Sequence, residues 1–267
     1  MTELAPAGTA RKSHLAFALL WLPRERRRDA LVFFRFCRAV DDIADEPGRS
    51  EDEKRLLLQE WMDAIEGNTL PTELEAVVAQ YGIERNLLAE IVRGCAMDVR
   101  PSRFETFADL EKYCWRVACA VGLASIRIFG CKDPASSVYA ENLGHALQLT
   151  NILRDVGEDA AAGRIYLPLA DLRRFGVTEE NLLSGKPTPG FRKLMVFEAG
   201  RARARFHAAI PPSGDRRVLL APEIMKAIYL CILSRLEKQG FPVFERRIRL
   251  GRIEKIVTAL GVCVTGR

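Results

Sequence analysis

Apolar residues recur along most of this chain at intervals of three and four, which is the spacing of one face of an α-helix. No convincing run alternates apolar and polar residues as a half-buried strand does. A long helix is predicted over about 24–46, ending before Pro47-Gly48. Further helices are predicted near 13–22, 51–66, 73–80, 84–98, 107–129, 135–159, 190–210, 216–239 and 243–259.

The breaks between these helices are short, and proline and glycine mark them. No linker is long or biased enough to divide the chain, and no period of 20–50 residues repeats. We therefore expect an all-α fold with one domain over 13–267, preceded by a flexible tail over 1–12. The stretch from Gly157 to Pro187 is the least helical, and we expect it to border whatever cavity the helices enclose.

Composition narrows the classes of function. The 267 residues are 48% hydrophobic, enough to enclose an apolar cavity within a core. The formal net charge of +5 fits an anionic small molecule or weak attraction to an anionic membrane surface. No basic run is interleaved with aromatic residues, so nothing supports nucleic-acid binding.

Cysteine usage and the lack of long apolar runs bear on the compartment. The seven cysteines contain no CxxC pair, which favours buried thiols in a reducing compartment over disulfides or a zinc site. No apolar run approaches the ~20 residues that span a bilayer. We expect a cytoplasmic protein and leave peripheral membrane contact open.

A first acidic segment lies at the end of the long predicted helix. Asp41 and Asp45 are four residues apart, so they share one helix face. Like charges at this spacing repel and destabilise a helix unless something offsets them. Mg²⁺ is suited to that, because it is commonly held by one or two carboxylates together with substrate phosphates. Taken alone, the segment could also be a solvated acidic helix end.

A second polar stripe follows in the helix predicted over 135–159. Asn151, Asp155 and Asp159 again fall at steps of four and carry oxygen atoms over two turns. Taken alone, this pattern is also typical of an amphipathic surface helix. If the two stripes face each other across a cavity, they could hold two or three Mg²⁺ ions against a diphosphate. Metal ions neutralise such a leaving group, and a dry apolar pocket protects the resulting carbocation from water.

These segments resemble the signatures of the squalene and phytoene synthases. Residues 36–46 (FCRAVDDIADE) are similar to the first signature, and residues 144–168 (GHALQLTNILRDVGEDAAAGRIYLP) to the second. YCWRVA at 113–118, Val121-Gly122 and Tyr229 followed by Arg246 also match, so the resemblance covers roughly residues 12–250. It implies a single-domain isoprenoid-synthase helical bundle around a central apolar cavity, and head-to-head prenyl transfer.

The resemblance also implies roles for individual residues. The implied Mg²⁺ ligands are Asp41, Asp45, Asn151, Asp155 and Asp159. Asp42 also belongs to the motif, but the resemblance implies that it does not contact the metal directly. The implied catalytic residues are Tyr113, Asp41, Asp45 and Asp155. The implied diphosphate contacts are Lys12, Ser13, Arg38, Arg154, Arg164, Tyr166 and Arg246, and arginine suits this task through its fixed donor fork. The implied cavity residues are Phe34, Val117, Gly122 and Gln148.

The chain departs from the family pattern at two places. Phe34 stands where the family usually has a tyrosine, so a hydroxyl near the diphosphate is missing or replaced. Ser13-His14-Leu15 replaces the usual Ser-Phe pair. If the alignment there shifts by one residue, His14 becomes the phosphate contact.

The expected reaction joins two farnesyl diphosphates into presqualene diphosphate, because the signatures look most like those of bacterial hopanoid-pathway squalene enzymes. Tyr113 or the released diphosphate would take up the proton. Continuation to squalene, use of NADPH and oligomeric state stay open. The nearest alternative is phytoene synthesis from geranylgeranyl diphosphate. An all-α Mg²⁺-dependent nucleotide pyrophosphatase, which needs no large apolar cavity, and a non-catalytic helical binding protein are the alternatives from other classes.

Overall fold

The computed structural model describes residues 2–6, 14–186 and 188–265. Within these ranges no β-strand occurs, which confirms the all-α prediction. The α-helices are α1 (His14–Leu19), α2 (Arg24–Asp45), α3 (Glu51–Glu66), α4 (Thr72–Tyr81), α5 (Arg85–Ala96), α6 (Phe107–Cys114), α7 (Ala120–Phe129), α8 (Ala135–Ala161), α9 (Leu169–Arg174), α10 (Glu179–Leu183), α11 (Pro189–Ala208), α12 (Leu220–Lys238) and α13 (Arg252–Thr265). None of the described helices is long and apolar enough to cross a membrane.

Several helix ends follow directly from local sequence. α3 begins with a capping box, in which the Ser50 hydroxyl accepts from the Glu53 N–H and the Glu53 carboxylate accepts from the Ser50 N–H. Thr106 and Asp109 form the same motif at the start of α6. α7 ends at Gly130, whose φ of 87° is a left-handed conformation that favours glycine. These signals explain why most boundaries lie within a few residues of the predicted ones.

A turn of π-helix, Trp115–Cys119, joins α6 to α7. Two glycines let neighbouring helices approach it closely. A Cβ atom on Gly94 of α5 would lie 2.7 Å from Cγ1 of Val117, and one on Gly144 of α8 would lie 2.8 Å from Cα of Cys119. The π turn is therefore clamped between α5 and α8, and such turns are frequent at functional sites.

The helix predicted over 243–259 is wrong in its first half. The chain is non-helical from 240 to 251, and α13 begins only at Arg252. Ile248 and Leu250 are both buried there, two residues apart, as in an extended segment. A Cβ atom on Gly157 of α8 would lie 2.1 Å from the carbonyl oxygen of Val243, so this segment lies directly on α8.

The buried side chains form two clusters. One surrounds α8, α11 and α12, and the other surrounds α2 to α5, while α7 contributes to both. A cavity of about 260 Å³ lies among α1, α2, the π turn, α7, α8 and α12. The predicted helical bundle around an apolar cavity is therefore confirmed.

Residues 2–6 lie against α2. The Ala5 N–H donates to the carbonyl of Arg35 at 3.3 Å, and Nε of Arg35 donates to the carbonyl of Ala5 at 2.6 Å. The division of the chain at residue 12 stays a prediction, because Lys12 and Ser13 lie outside the described residues.

The cysteines are unpaired, in line with the sequence. Cys95, Cys114 and Cys119 are buried as expected. Cys231 and Cys263 are exposed, so the expectation of buried thiols is wrong for these two.

Candidate active site

The cavity wall contains all four residues that were assigned to it from the sequence: Phe34, Val117, Gly122 and Gln148. Most of the remaining wall is aliphatic or aromatic, including Leu143 and Phe129. Gly122 brings α7 close to α8, since a Cβ atom there would lie 3.1 Å from the carbonyl oxygen of Ala140. The wall can therefore hold a hydrocarbon chain and exclude water.

Asn151 joins this cavity to the second acidic stripe. Its side chain lines the cavity, and its Nδ2 donates to Oε1 of Gln148 at 3.3 Å. Its Oδ1 is buried without a hydrogen-bond partner. Leaving a buried acceptor unsatisfied costs about 1–3 kcal/mol. This oxygen is therefore available to accept a hydrogen bond from a ligand or to coordinate a cation.

The two stripes meet through Arg164, which follows α8. Its Nη1 lies 2.8 Å from Oδ1 of Asp45 on α2. The carboxylates of the two stripes also share an electrostatic neighbour in Asp98, which follows α5 and raises the pKa of both Asp41 and Asp159. The acidic residues of α2 and α8 therefore face one another, which is the condition that the sequence analysis set for a shared metal site.

Two of these carboxylates, Asp41 and Asp159, have raised pKa values. Partial removal from water, followed by the charge of Asp45, raises the pKa of Asp41 to about 6. Burial, followed by the charge of Asp155, raises the pKa of Asp159 to about 7, and Arg164 opposes only part of that shift. Burial is the larger cause of each shift, and the neighbouring carboxylates add to it; shifted pKa values of this kind are common at functional sites.

Asp98 is a site residue that sequence reasoning missed. It accepts hydrogen bonds from the hydroxyls of Tyr113, at 2.7 Å, and Tyr166, at 2.6 Å. Burial raises its pKa, and the two hydroxyls oppose part of that shift. Phe104 packs against both tyrosine rings, at centroid distances of 5.3 and 6.1 Å. The only sequence signal was an acidic residue at the end of an apolar helix, which has no partner at helical spacing.

The acidic residues of α2 and α8 face each other at what we call the acidic end of the cavity. Tyr113 lies beside this end, where it contacts Asp98, and is not among the cavity-lining residues. It is buried, and burial together with the nearby charge of Asp98 raises its pKa well above the usual value. Its hydroxyl therefore stays protonated and oriented towards Asp98.

Arginines line the acidic residues on both helices. Arg38 on α2 contacts Asp41 at 2.9 Å and Asp42 at 2.6 Å. Arg154 on α8 is buried and holds both oxygens of Asp155, at 2.8 and 2.5 Å. With Arg164 and Tyr166, whose hydroxyl donates to Asp98, these are the predicted diphosphate contacts that the structure brings to the acidic end.

Arg246 lies elsewhere. It is exposed, and its Nη2 donates to Gln239 at 3.3 Å in a separate surface cleft. The next residue, Arg247, contacts Asp155 at 2.8 Å and Glu158 at 3.0 Å. The two side chains diverge because Arg246 closes a turn, its N–H donating to the carbonyl of Pro242, whereas Arg247 begins the non-helical segment that follows.

A cation would need help from substrate at this site. Among the residues that the structure describes, no three His, Cys, Asp or Glu side chains lie close enough to form a metal site on their own. The available donors are all oxygens, which suits Mg²⁺, and that ion normally takes few protein ligands and completes its shell with phosphate and water. The unpaired Oδ1 of Asn151 and the raised carboxylate pKa values fit such an ion.

Known proteins share this sequence and arrangement. The squalene/phytoene synthase family model matches residues 9–254. The chain is 36% identical over 265 residues to presqualene diphosphate synthase of Rhodopseudomonas palustris, covering 96% of this chain and 95% of that protein. It is 33% identical to phytoene synthase 1 of Arabidopsis thaliana, covering 89% of this chain and 60% of that protein.

Solved structures agree in fold. A crystal structure of a dehydrosqualene synthase superimposes with a TM-score of 0.80 at 27% identity, covering 97% of this chain and 94% of that one. Squalene synthase from Alicyclobacillus acidocaldarius superimposes with a TM-score of 0.73 at 27% identity, covering 88% and 93%. With its two facing acidic helices and apolar cavity, the chain belongs to the squalene/phytoene synthase family of prenyltransferases.

Proposed function

We propose that this chain joins two isoprenyl diphosphates head to head, and that two farnesyl diphosphates give presqualene diphosphate. The observation that carries the proposal is the continuity at Asn151 between an apolar cavity and two facing acidic helices. A diphosphate bound at the acidic end can extend its hydrocarbon chain into the cavity. The relative named presqualene diphosphate synthase, similar over nearly its whole length, supports the choice of product.

The arginines would bind the diphosphate groups. Arg38, Arg154 and Arg164 already lie on the acidic residues, so their positive charge is in place before substrate arrives. A guanidinium can donate two parallel hydrogen bonds to phosphate oxygens. Arg247 belongs with this set by its position on Asp155.

We propose Mg²⁺ as the cofactor, held by Asp41, Asp45, Asn151, Asp155 and Asp159 together with diphosphate oxygens. When bound, it would neutralise the charge of the diphosphate and so make it a better leaving group. Arg164, which contacts Asp45, keeps the acidic residues of α2 and α8 close enough together to share such an ion.

The cavity would control the carbon chemistry. When the allylic C–O bond of one substrate breaks, the electron pair leaves with the diphosphate. The 2,3 double bond of the second substrate attacks the resulting cation, and loss of one proton closes the cyclopropane. The second substrate keeps its diphosphate, so the product is a cyclopropyl diphosphate. The apolar wall excludes water, which would otherwise capture the cation.

The proton acceptor is better assigned to the released diphosphate than to Tyr113. The Tyr113 hydroxyl donates to Asp98, its pKa is raised, and the residue does not line the cavity. We assign Tyr113 and Tyr166 to positioning the Asp98 carboxylate beside the acidic stripes. Tyr113→Phe should therefore lower the rate without abolishing product.

Phytoene synthesis from geranylgeranyl diphosphate is the second candidate, supported by relatives named phytoene synthase at 33–35% identity. Cytoplasmic location, a hopanoid-type pathway and NADPH-dependent continuation to squalene stay predictions.

The test is product identification from purified protein. Farnesyl or geranylgeranyl diphosphate is supplied with Mg²⁺, with and without NADPH, and Asp155→Asn and added chelator serve as inactive controls. We expect presqualene diphosphate from the farnesyl substrate. Absence of turnover with both substrates would refute the proposal, as would simple hydrolysis to the alcohol. A nucleoside triphosphate is included to detect pyrophosphatase activity.

A further inference from the structure

The outer face of α13 carries an unusual concentration of exposed apolar side chains. Ile253, Ile256, Val257, Leu260 and Val264 are between 48% and 86% exposed. Their spacing of three, four, seven and eleven residues places them on one side of the helix. We name these five residues the outer stripe.

The outer stripe lies opposite the face that packs on the protein. Ala259 and Val262 are buried, and α13 packs along α12. Glu254 is held by Arg235 of α12 at 3.3 Å. At 3.6 residues per turn, Ala259 and Val262 are directed roughly 120° and 180° from the centre of the outer stripe. The exposure is therefore a second apolar face and does not result from loose packing of the first.

Three exposed apolar residues elsewhere lie on three separate elements. Leu56, Val138 and Val196 are 56–63% exposed, but they lie on α3, α8 and α11 respectively. Single exposed residues of this kind are ordinary, whereas a contiguous patch marks an interaction surface.

Positive charge adjoins the outer stripe. Arg246, Arg249 and Arg252 are exposed and occupy the seven residues that lead into α13. An apolar helix face with adjacent arginines is complementary to an anionic lipid surface, where the side chains enter the acyl boundary and the guanidinium groups meet phosphates.

The size of the outer stripe argues against a second copy of this chain as its occupant. The helix has 14 residues, so it is about 21 Å long at 1.5 Å per residue. With a width of about 10 Å, one helix face covers on the order of 200 Å², well below the ~800 Å² per partner of a stable interface. A bilayer surface has no such minimum area.

We propose that α13 docks the protein on anionic bilayers, with the outer stripe in the interface and Arg249 and Arg252 at the headgroups. The helix would lie in the plane of the membrane, since its ~21 Å length falls short of the ~30 Å hydrocarbon core. This proposal is argued from the surface alone and does not depend on the proposed reaction.

Flotation of the full chain with lipid vesicles, without substrate, tests the proposal. Vesicles of phosphatidylcholine are compared with vesicles containing 30% phosphatidylglycerol. Ile253→Ser/Val257→Ser/Leu260→Ser should weaken binding about 100-fold, because three aliphatic side chains no longer leave water. Arg249→Gln/Arg252→Gln should weaken binding to the anionic vesicles about 30-fold and leave the neutral ones nearly unchanged.

The matched control is Leu56→Ser/Val138→Ser/Val196→Ser, which removes as many exposed apolar side chains from other helices. It should bind vesicles like the unmodified chain. Equal loss in both triple variants, or no loss in either, would overturn the proposal. So would light scattering that shows a dimer which the outer-stripe variant dissociates. Retained condensation activity in detergent, with an unchanged Tm, separates loss of docking from loss of fold or of the proposed function.

Discussion

Replacing Arg247 with alanine should impair catalysis by between about 30-fold and about 150-fold, whereas Arg246→Ala should change it by no more than about twofold. Arg247 contacts Asp155 at 2.8 Å and Glu158 at 3.0 Å, and its side chain is 31% exposed. A hydrogen bond to a charged group is worth about 1.5–3 kcal/mol. Since Arg247 and Glu158 are partly solvated, we take about 1–1.5 kcal/mol for each of the two contacts, which gives about 2–3 kcal/mol and the stated range.

The physical reason is the position of Asp155. Arg154 contacts both of its oxygens and Arg247 contacts Oδ2 as well, so the loss of Arg247 removes one of the two arginine contacts to Oδ2 of a proposed metal ligand. It also removes a positive charge from the proposed diphosphate site. Arg246 contacts Gln239 in another cleft and should affect neither.

The assay is kcat/KM for farnesyl diphosphate at saturating Mg²⁺, with thermal unfolding of each variant as a check on folding. Arg247→Lys keeps the charge but loses the planar fork, so it should fall between the unmodified chain and Arg247→Ala. Equal losses at the two positions, or a loss at Arg246 alone, would refute the assignment made from the geometry.

Three further results are expected. Asn151→Ala should leave the metal-free protein as stable as before or more so, because it removes an unpaired buried oxygen. It should abolish the thermal stabilisation by Mg²⁺ added together with inorganic diphosphate; lost stability with an intact response to the two would contradict this. Burial raises the pKa of Asp159 to about 7 in the folded protein, so the neutral carboxyl favours folding. The free energy of unfolding of the metal-free protein should therefore fall as pH rises from about 4 to 7, and chemical denaturation should show a weaker fall in Asp159→Asn. Gly157→Ala would place Cβ 2.1 Å from the carbonyl oxygen of Val243 and should lower the free energy of unfolding, measured in urea, by about 1–3 kcal/mol. Gly200→Ala has open space around it and should be neutral or stabilising, so equal effects would show that the close approach is unimportant.

The helices and the two acidic stripes followed from sequence because both depend on local periodicity. The capping boxes at Ser50 and Thr106 each consist of four consecutive residues, so they mark a helix start without any distant contact. A step of four places Asp41 and Asp45 on one helix face whatever surrounds them. The same reasoning failed over 243–251, where a turn and a non-helical segment with buried residues two apart were taken for part of a helix. Periodicity in so short a run does not distinguish the two conformations.

The amino-acid sequence by itself determined the all-α fold, the oxygen-bearing helix faces and, through long signatures, the family. Only the tertiary structure decided which distant residues share the site. Asp98 enters it because α5 ends beside both stripes, and Arg247 enters it because Gly157 lets the turn after α12 lie directly on α8. Neither residue carries a local pattern, since their roles depend on contacts with residues 15 to 92 positions away, which are formed when the helices pack.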